Sequence, residues 1–505
     1  MPIGRPRIPG TEEERAGARR AKVRANVQAF RRRQREKKLA KDAVIRQTNE
    51  FDSDVVLEAE TNRQPEPESP VTLPFESDPR DDAFVVSKDG EPWLWAIPSE
   101  LGAKLNGTTY QDALIKALQD RYLPSQTNLP RIQYEPKKRF SICCSTWITS
   151  TTLDMGKPEC KVLMQALLAA SLAIIGRERK DEEMTLHAAY VQTEALQKLR
   201  FALTKYSEGD RSICPTMLSL TSLTCAMSEL IANQSWDNFN RHLLGVGALL
   251  FHGGPEGLSS ESAQEHFYGY RVTQAPFLFM NRQRAFLSNP EWLEFPWKKD
   301  LELAQRPLHT MLDIAFTILP EIVKQDMPKR WSLSCLQGRL ERAKRVAHEL
   351  TEWEDDLRSQ HRGVLYKQRP ATWGGLDDYC FEFPLLSTGV AFSMYTAVRV
   401  HVAALMAAVV NDILIRDPNA DVERKPAVLE ALRWSRLACQ CLEFFHKGQV
   451  EFAGRIVTLW PLETAWEFFM RSQADGVLNV SREVAWCRGI AEKLSNMGIP
   501  PFQWR

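Results

Sequence analysis

The sequence predicts an all-α protein: a large helical domain preceded by a basic helix and a disordered acidic linker. Three observations predict it. Beyond about residue 160, apolar residues recur at i, i+3, i+4 and i+7, or form apolar stretches too long for a strand. Period-2 alternation is scarce. Charge is strongly segregated in the first 82 residues and balanced in the rest. Composition agrees, since 44% hydrophobic and 26% charged residues are ordinary for a chain that buries a core.

The elements follow in order. Residues 1–10, MPIGRPRIPG, hold three prolines and two glycines and cannot be helical. Thr11 with Glu14 forms a capping box, and Glu12 and Glu13 suit the helix dipole. No proline follows until Pro65, so a helix is expected over about 12–45. It lacks a broad apolar face and is expected to form only partly alone. The proline-bearing acidic stretch over 46–82 reads as a disordered linker. The globular part runs over 83–505. Within it, helices are predicted near 161–178, 182–205, 214–232, 236–252, 261–281, 301–325, 331–361, 385–415, 424–447, 460–474 and 478–495.

Charge is the first functional clue. Residues 1–41 carry 14 Lys/Arg against 4 Asp/Glu, a balance of +10. Residues 42–82 carry 3 basic and 12 acidic residues, a balance of −9. With a net charge of +1 overall, the remainder sums to zero (1 − 10 + 9 = 0). A basic block on a neutral body points to a polyanionic partner.

Several classes fall away. The ten cysteines contain no CxxC, so no zinc cluster or other metal site is expected, and they read as reduced, mostly buried thiols. Residues 1–41 hold no apolar stretch, so no secretory signal is expected and the protein is expected inside the cell. The run over 163–176 is too short to cross a bilayer; that over 389–410 carries Arg399 and His401, as a buried core helix does. No membrane partner and no cofactor are expected. HGG at 252–254 lacks a GxSxG nucleophile, and no P-loop, Rossmann fingerprint or HExxH occurs. The acids Glu354, Asp355 and Asp356 read as a solvated helix face. The protein is not expected to be an enzyme.

The chemistry lies in residues 12–38. On a helix at 100° per residue, Arg20, Arg24, Gln28, Arg31, Arg35 and Lys38 fall in one stripe, flanked by Val23 and Phe30. Arg19, Lys22, Arg33 and Lys37 point elsewhere. Such a helix in the major groove reaches base edges with its stripe and phosphates with its flanks. Candidate DNA-binding residues are Arg20, Arg24, Asn26, Gln28, Phe30, Arg31, Arg33 and Arg35. Arg31, Arg32, Arg33, Arg35, Lys37 and Lys38 also form a candidate nuclear-localisation run, and import alone stays open as its reading. GRPR (4–7) resembles half of an AT-hook, beside the alternative of a plain disordered terminus.

QAFRRRQREKK (28–38) resembles the basic region of fungal basic-leucine-zipper proteins through Ala29, Phe30, Arg31 and Arg33. That family's base-reading Asn and Gln positions hold Val23 and Val27 here, with Asn26 and Gln28 displaced from them. The heptads continue onto Lys41, Thr48 and Val55, so no zipper follows. Residues 236–292 resemble the fungal-specific transcription factor domain. The matching residues are Trp236, His242, Gly245, Ala248, Leu249, Leu250, Gly254, Pro255, Phe267, Arg271, Arg282, Phe286, Leu287, Pro290, Glu291 and Trp292. The resemblance covers about 160–500, and the basic segment stands where that family carries a six-cysteine zinc cluster.

That resemblance implies an all-helical regulatory domain and a nuclear, DNA-binding transcriptional regulator, in a specialised metabolic pathway by the family's habit. Double-stranded DNA and the transcription machinery are the expected partners, with any homodimer formed through the helical domain. A nuclear co-regulator that does not bind DNA is the alternative. The matching residues also have packing readings: Gly245 and Gly247 for close helix approach, Gly253, Gly254 and Pro255 as a helix end, His242 as a core or boundary histidine, and Arg271 and Arg282 paired with acids.

Overall fold

The computed structural model describes residues 107–123, 148, 161–210, 212–293, 306–326, 331–374, 376–446 and 451–499. The chain divides into two units, Met1–Lys88 and Asp89–Arg505, and every described residue belongs to the second. The segments expected over 1–45 and 46–82 lie outside the described residues. Helix makes up 81% of the described region, so the fold is all-α.

The first half is built on helix hairpins. Helix α1 (Thr108–Tyr122) packs on α2 (Lys161–Arg179), which turns back into α3 (Glu182–Ser207). Lys180 adopts φ 54°, and the Asp181 side chain accepts from Met184 N at 2.9 Å, capping α3. Helices α4 (Pro215–Asn233) and α5 (Trp236–Gly253) pair in the same way, joined by Gln234 at φ 53° and capped by Ser235. Helix α6 (Glu261–Met280) leads to the single turn α7 (Pro290–Leu293).

In the second half, α8 (Arg306–Val323) and α9 (Leu333–Gln360) flank the long α10 (Leu386–Arg416). Helix α11 (Arg424–Leu442) lies along α10 and against α13 (Leu459–Ala474), with α12 (Glu451–Val457) before it and α14 (Ser481–Asn496) after. Helix α12 packs back on α1 through Tyr122 and Phe452, rings 5.7 Å apart. One contiguous apolar core therefore runs from Leu114 to Ile499.

Helix α10 is long and apolar enough to cross a membrane, but it is the central core helix. Its Arg399 is buried, pairs with Glu430, and donates to Ala347 O and Thr351 Oγ1, both at 2.8 Å. The guanidinium lies 4.6 Å from the Trp434 ring. The sequence expectation that Arg399 marks a buried core helix is met.

The expected helices appear within a few residues of their bounds. Several features depart. Helices α1, α7 and α12 were not foreseen, and neither was a two-stranded antiparallel hairpin, β1 (Lys367–Pro370) with β2 (Tyr379–Glu382). The helix expected over 424–447 ends at Leu442 and tightens into a 3-10 turn, Glu443–His446. The Glu354 expectation is corrected. Asp355 and Asp356 are exposed, whereas Glu354 turns inward, accepting from Tyr395 Oη at 2.8 Å and from Arg358 Nε at 3.0 Å. The described cysteines are free, and Cys225, Cys380, Cys439, Cys441 and Cys487 are buried.

The α8–α9 contact is held by one ion cluster. Buried Arg339 donates to Glu321 Oε2 at 2.9 Å and to Glu321 O at 2.8 Å. Arg342 and Lys324 reach the other carboxylate oxygen at 3.1 and 3.2 Å. Burial alone raises the Glu321 carboxyl; Lys324, Arg342 and Arg339 outweigh it and hold it below the usual range. Removing one partner strands a buried charge, so Glu321→Ala costs about 3–5 kcal/mol in urea unfolding. The double change Glu321→Leu with Arg339→Met restores most of it; equal losses in both variants would contradict this account.

Candidate functional site

The eight DNA-binding candidates Arg20, Arg24, Asn26, Gln28, Phe30, Arg31, Arg33 and Arg35 lie outside the described residues, as does the run Arg31, Arg32, Arg33, Arg35, Lys37 and Lys38. The structure bears instead on the stretch that carried the second resemblance.

Residues 236–292 converge on a packing centre. Gly247 lies under the Tyr270 hydroxyl, which an added Cβ would overlap. Tyr270 stacks on Phe286 at 6.2 Å, Phe286 meets Trp292 edge-on at 4.6 Å, and Trp292 sits 5.4 Å from Phe267. Trp236, Phe239 and Phe277 form a second triad, with Phe239 5.4 Å from each of the others. Arg271 is buried, lies 5.4 Å from the Phe316 ring, and donates to Asp313 at 2.5 Å. Arg282 reaches Glu467 at 3.5 Å. Helix α5 ends at Gly253, with Gly254 at φ 64°. Burial pushes the His242 ring down, against a smaller opposing pull from Glu229. The packing readings of Gly247, Gly254, Arg271 and Arg282 therefore hold. Gly245 is corrected: the space where its side chain would stand is open, since two residues along a helix turn it about 200° from Gly247.

A polar cluster lies elsewhere, where the hairpin meets α11 and α14. Glu443 accepts from Thr372 N at 3.0 Å, from the Thr372 hydroxyl, from Trp373 N at 3.3 Å and from Arg369 Nη1 at 3.0 Å. Burial raises this carboxyl, and the Thr372, Trp373 and Arg369 donors outweigh that, holding it below its usual range. Trp486 Nε1 donates to Gly374 O at 2.8 Å, and Gly374 sits at φ 67°. Trp373 lies between the His446 ring, 4.6 Å away, and the Lys493 ammonium, 5.0 Å away. Burial, with Arg455 and Lys493 nearby, pushes His446 down to about 3.

This cluster encloses a cleft of about 20 Å³, lined by Asp377, Cys380, Cys439, Glu443 and Trp486 among others. A volume of about 10–15 Å³ accepts one water, so the cleft has room for a water-sized molecule. Asp377 Oδ2 is buried there without a partner. No group of His, Cys, Asp or Glu suited to a metal ion occurs among the described residues.

Sequence reasoning singled out neither Glu443 nor the hairpin. Their partners lie about 70 residues apart in the chain, and no local spacing signals the contact. The nearness of Cys487 to Cys439, 48 residues apart, likewise has no local signal. No family model, curated protein or solved structure matches the chain.

Proposed function

We propose that the protein is a nuclear, DNA-binding transcriptional regulator whose N-terminal basic segment contacts duplex DNA and whose helical domain carries regulation. The observation that carries this reading is the charge distribution: +10 over residues 1–41, followed by a −9 tether and a neutral body. A folded domain needs no such block for its own core, and a duplex supplies the matching polyanion. The resemblance of residues 236–292 to the fungal-specific transcription factor domain supports the same reading. By that likeness, control of a specialised metabolic pathway in a fungus is the proposed setting. Titration of the full chain with duplex DNA across a salt series tests it. Absence of binding at low salt leaves the nuclear co-regulator in its place.

Nuclear entry makes a separate prediction. Changing Arg31, Arg32, Arg33, Lys37 and Lys38 to Gln leaves the helical domain folded, since none of these lies within it. The tagged variant is expected in the cytoplasm by fluorescence microscopy. Unchanged nuclear accumulation would show that import uses another signal.

A further inference from the structure

We propose that Cys439 and Cys487 are an oxidation site, joined by a reversible disulfide when a small hydroperoxide enters the cleft between the hairpin, α11 and α14. Cys439 stands on α11 and Cys487 on α14, each about one turn beyond the bond from Arg436 Nε to Glu483 Oε1 (3.1 Å) that joins the two helices, and Cys487 is the neighbour that, after burial, most raises the Cys439 thiol. Both are buried, Cys487 completely. Cys439 also lines the cleft, whereas Cys487 lies behind it next to Trp486 in the chain. The cleft admits a molecule of water or peroxide size.

This geometry divides the roles. The Cys439 thiol loses its proton and its sulfur attacks one peroxide oxygen. A sulfur–oxygen bond forms, the oxygen–oxygen bond breaks, and the leaving oxygen takes the proton as water or an alcohol. Cys487 sulfur then attacks the sulfenic sulfur. The disulfide forms, the sulfur–oxygen bond breaks, and the departing hydroxide takes the Cys487 proton as water. Two thiols are oxidised by two electrons and the hydroperoxide is reduced by the same two. A dithiol reductant reverses the bond.

The groups facing Cys439 set the rate. Burial chiefly raises its thiol, then the Cys487 contact, and the nearby Cys441 and the Asp377 carboxylate add to it. Glu443 and Cys380 also line the cleft, and no Lys or Arg stands among its lining residues. The thiol stays protonated near neutral pH, so oxidation is slow there and speeds up as pH rises. Asp377 acts as a brake, because its charge opposes the thiolate. The disulfide ties α14 to α11, and the Trp486 bond to Gly374 O links that change to the hairpin loop.

The test treats the folded full chain with hydrogen peroxide, traps remaining thiols by alkylation in denaturant, and maps peptides by mass spectrometry. The expected product links the peptides of Cys439 and Cys487, loses two hydrogens, and disappears with dithiothreitol. Cys439→Ser and Cys487→Ser each abolish it, and Cys441→Ser leaves it. The rate rises about tenfold per pH unit while the thiol is mostly protonated. Asp377→Asn quickens it at fixed pH, and Asp377→Glu, which keeps the charge, does not. Full alkylation of both thiols after peroxide, or a link through Cys380 instead of Cys487, would overturn the proposal. The wild-type peptide map decides the matter even where a cysteine variant fails to fold.

Discussion

The DNA affinity of the full chain is expected to fall about 10²–10⁴-fold when salt rises fourfold, following a slope of about −4 to −7 in log–log form. Each neutralised phosphate releases condensed counterions and contributes about −0.9 to that slope, so about 4–8 contacts are implied. Fourteen basic residues over 1–41 are ample for that number. Deleting residues 1–41 should remove binding altogether. Within the segment, Arg24→Ala and Arg31→Ala are expected to weaken preferred sites more than random DNA, by about 1–3 kcal/mol each, on the proposal that the inner stripe reads base edges. Lys37→Ala weakens both alike, as a phosphate contact does. Fluorescence anisotropy with one preferred and one scrambled duplex reads all three. An affinity flat with salt, or binding that survives the deletion, would sink the assignment of these residues.

The helical domain should unfold in mild acid, between about pH 4 and 6. His266, His401 and His446 are each pushed down to about 3, with burial the main cause. His266 is fully buried, with Ser219 Oγ 2.6 Å from its Nε2. A histidine depressed in the folded state is neutral there and charges more readily when unfolded. Its contribution is therefore complete above the unfolded value of about 6.5 and is lost as pH falls toward the folded value. Each such ring costs about 1.4 kcal/mol per pH unit below 6.5, or about 2 kcal/mol at pH 5. Three together reach about 6 kcal/mol, comparable with the whole stability of an ordinary domain at about 5–15 kcal/mol. Glu321 and Glu443, held low by their donors, add further loss at lower pH. Circular dichroism at 222 nm against pH checks this, and His266→Phe should move the midpoint to lower pH. A fully helical signal at pH 4 would contradict it.

Legibility in the sequence followed locality. The end of α5 was readable from Gly253, Gly254 and Pro255, a stop signal within one turn of it. Arg399 was readable because a charge inside an apolar stretch demands a partner, although Glu430 could not be named. Gly247 and Gly245 look alike in sequence. Which of them meets Tyr270 depends on the rotation of α5 against α6. Glu354 was misread for a similar reason: its role depends on Tyr395, 41 residues away. The strand Lys367–Pro370 carries no alternation of its own; it forms because β2 pairs with it and Glu443 captures the loop between them.

By itself the sequence determined the helical class, the order and approximate bounds of the main helices, and the concentration of positive charge ahead of a neutral body. These rest on short-range physics: periodicity, caps and the count of charges along the chain. Only the tertiary structure decided that the most recognisable stretch, 236–292, is a packing centre. It also decided that donors from the hairpin converge on Glu443, and that Cys487 on α14 lies near Cys439 on α11. Those facts arise from contacts between residues tens of positions apart, set by how helices rotate to bury their apolar faces. Many sequences share the same periodicity while choosing different neighbours, so no local pattern encodes the choice.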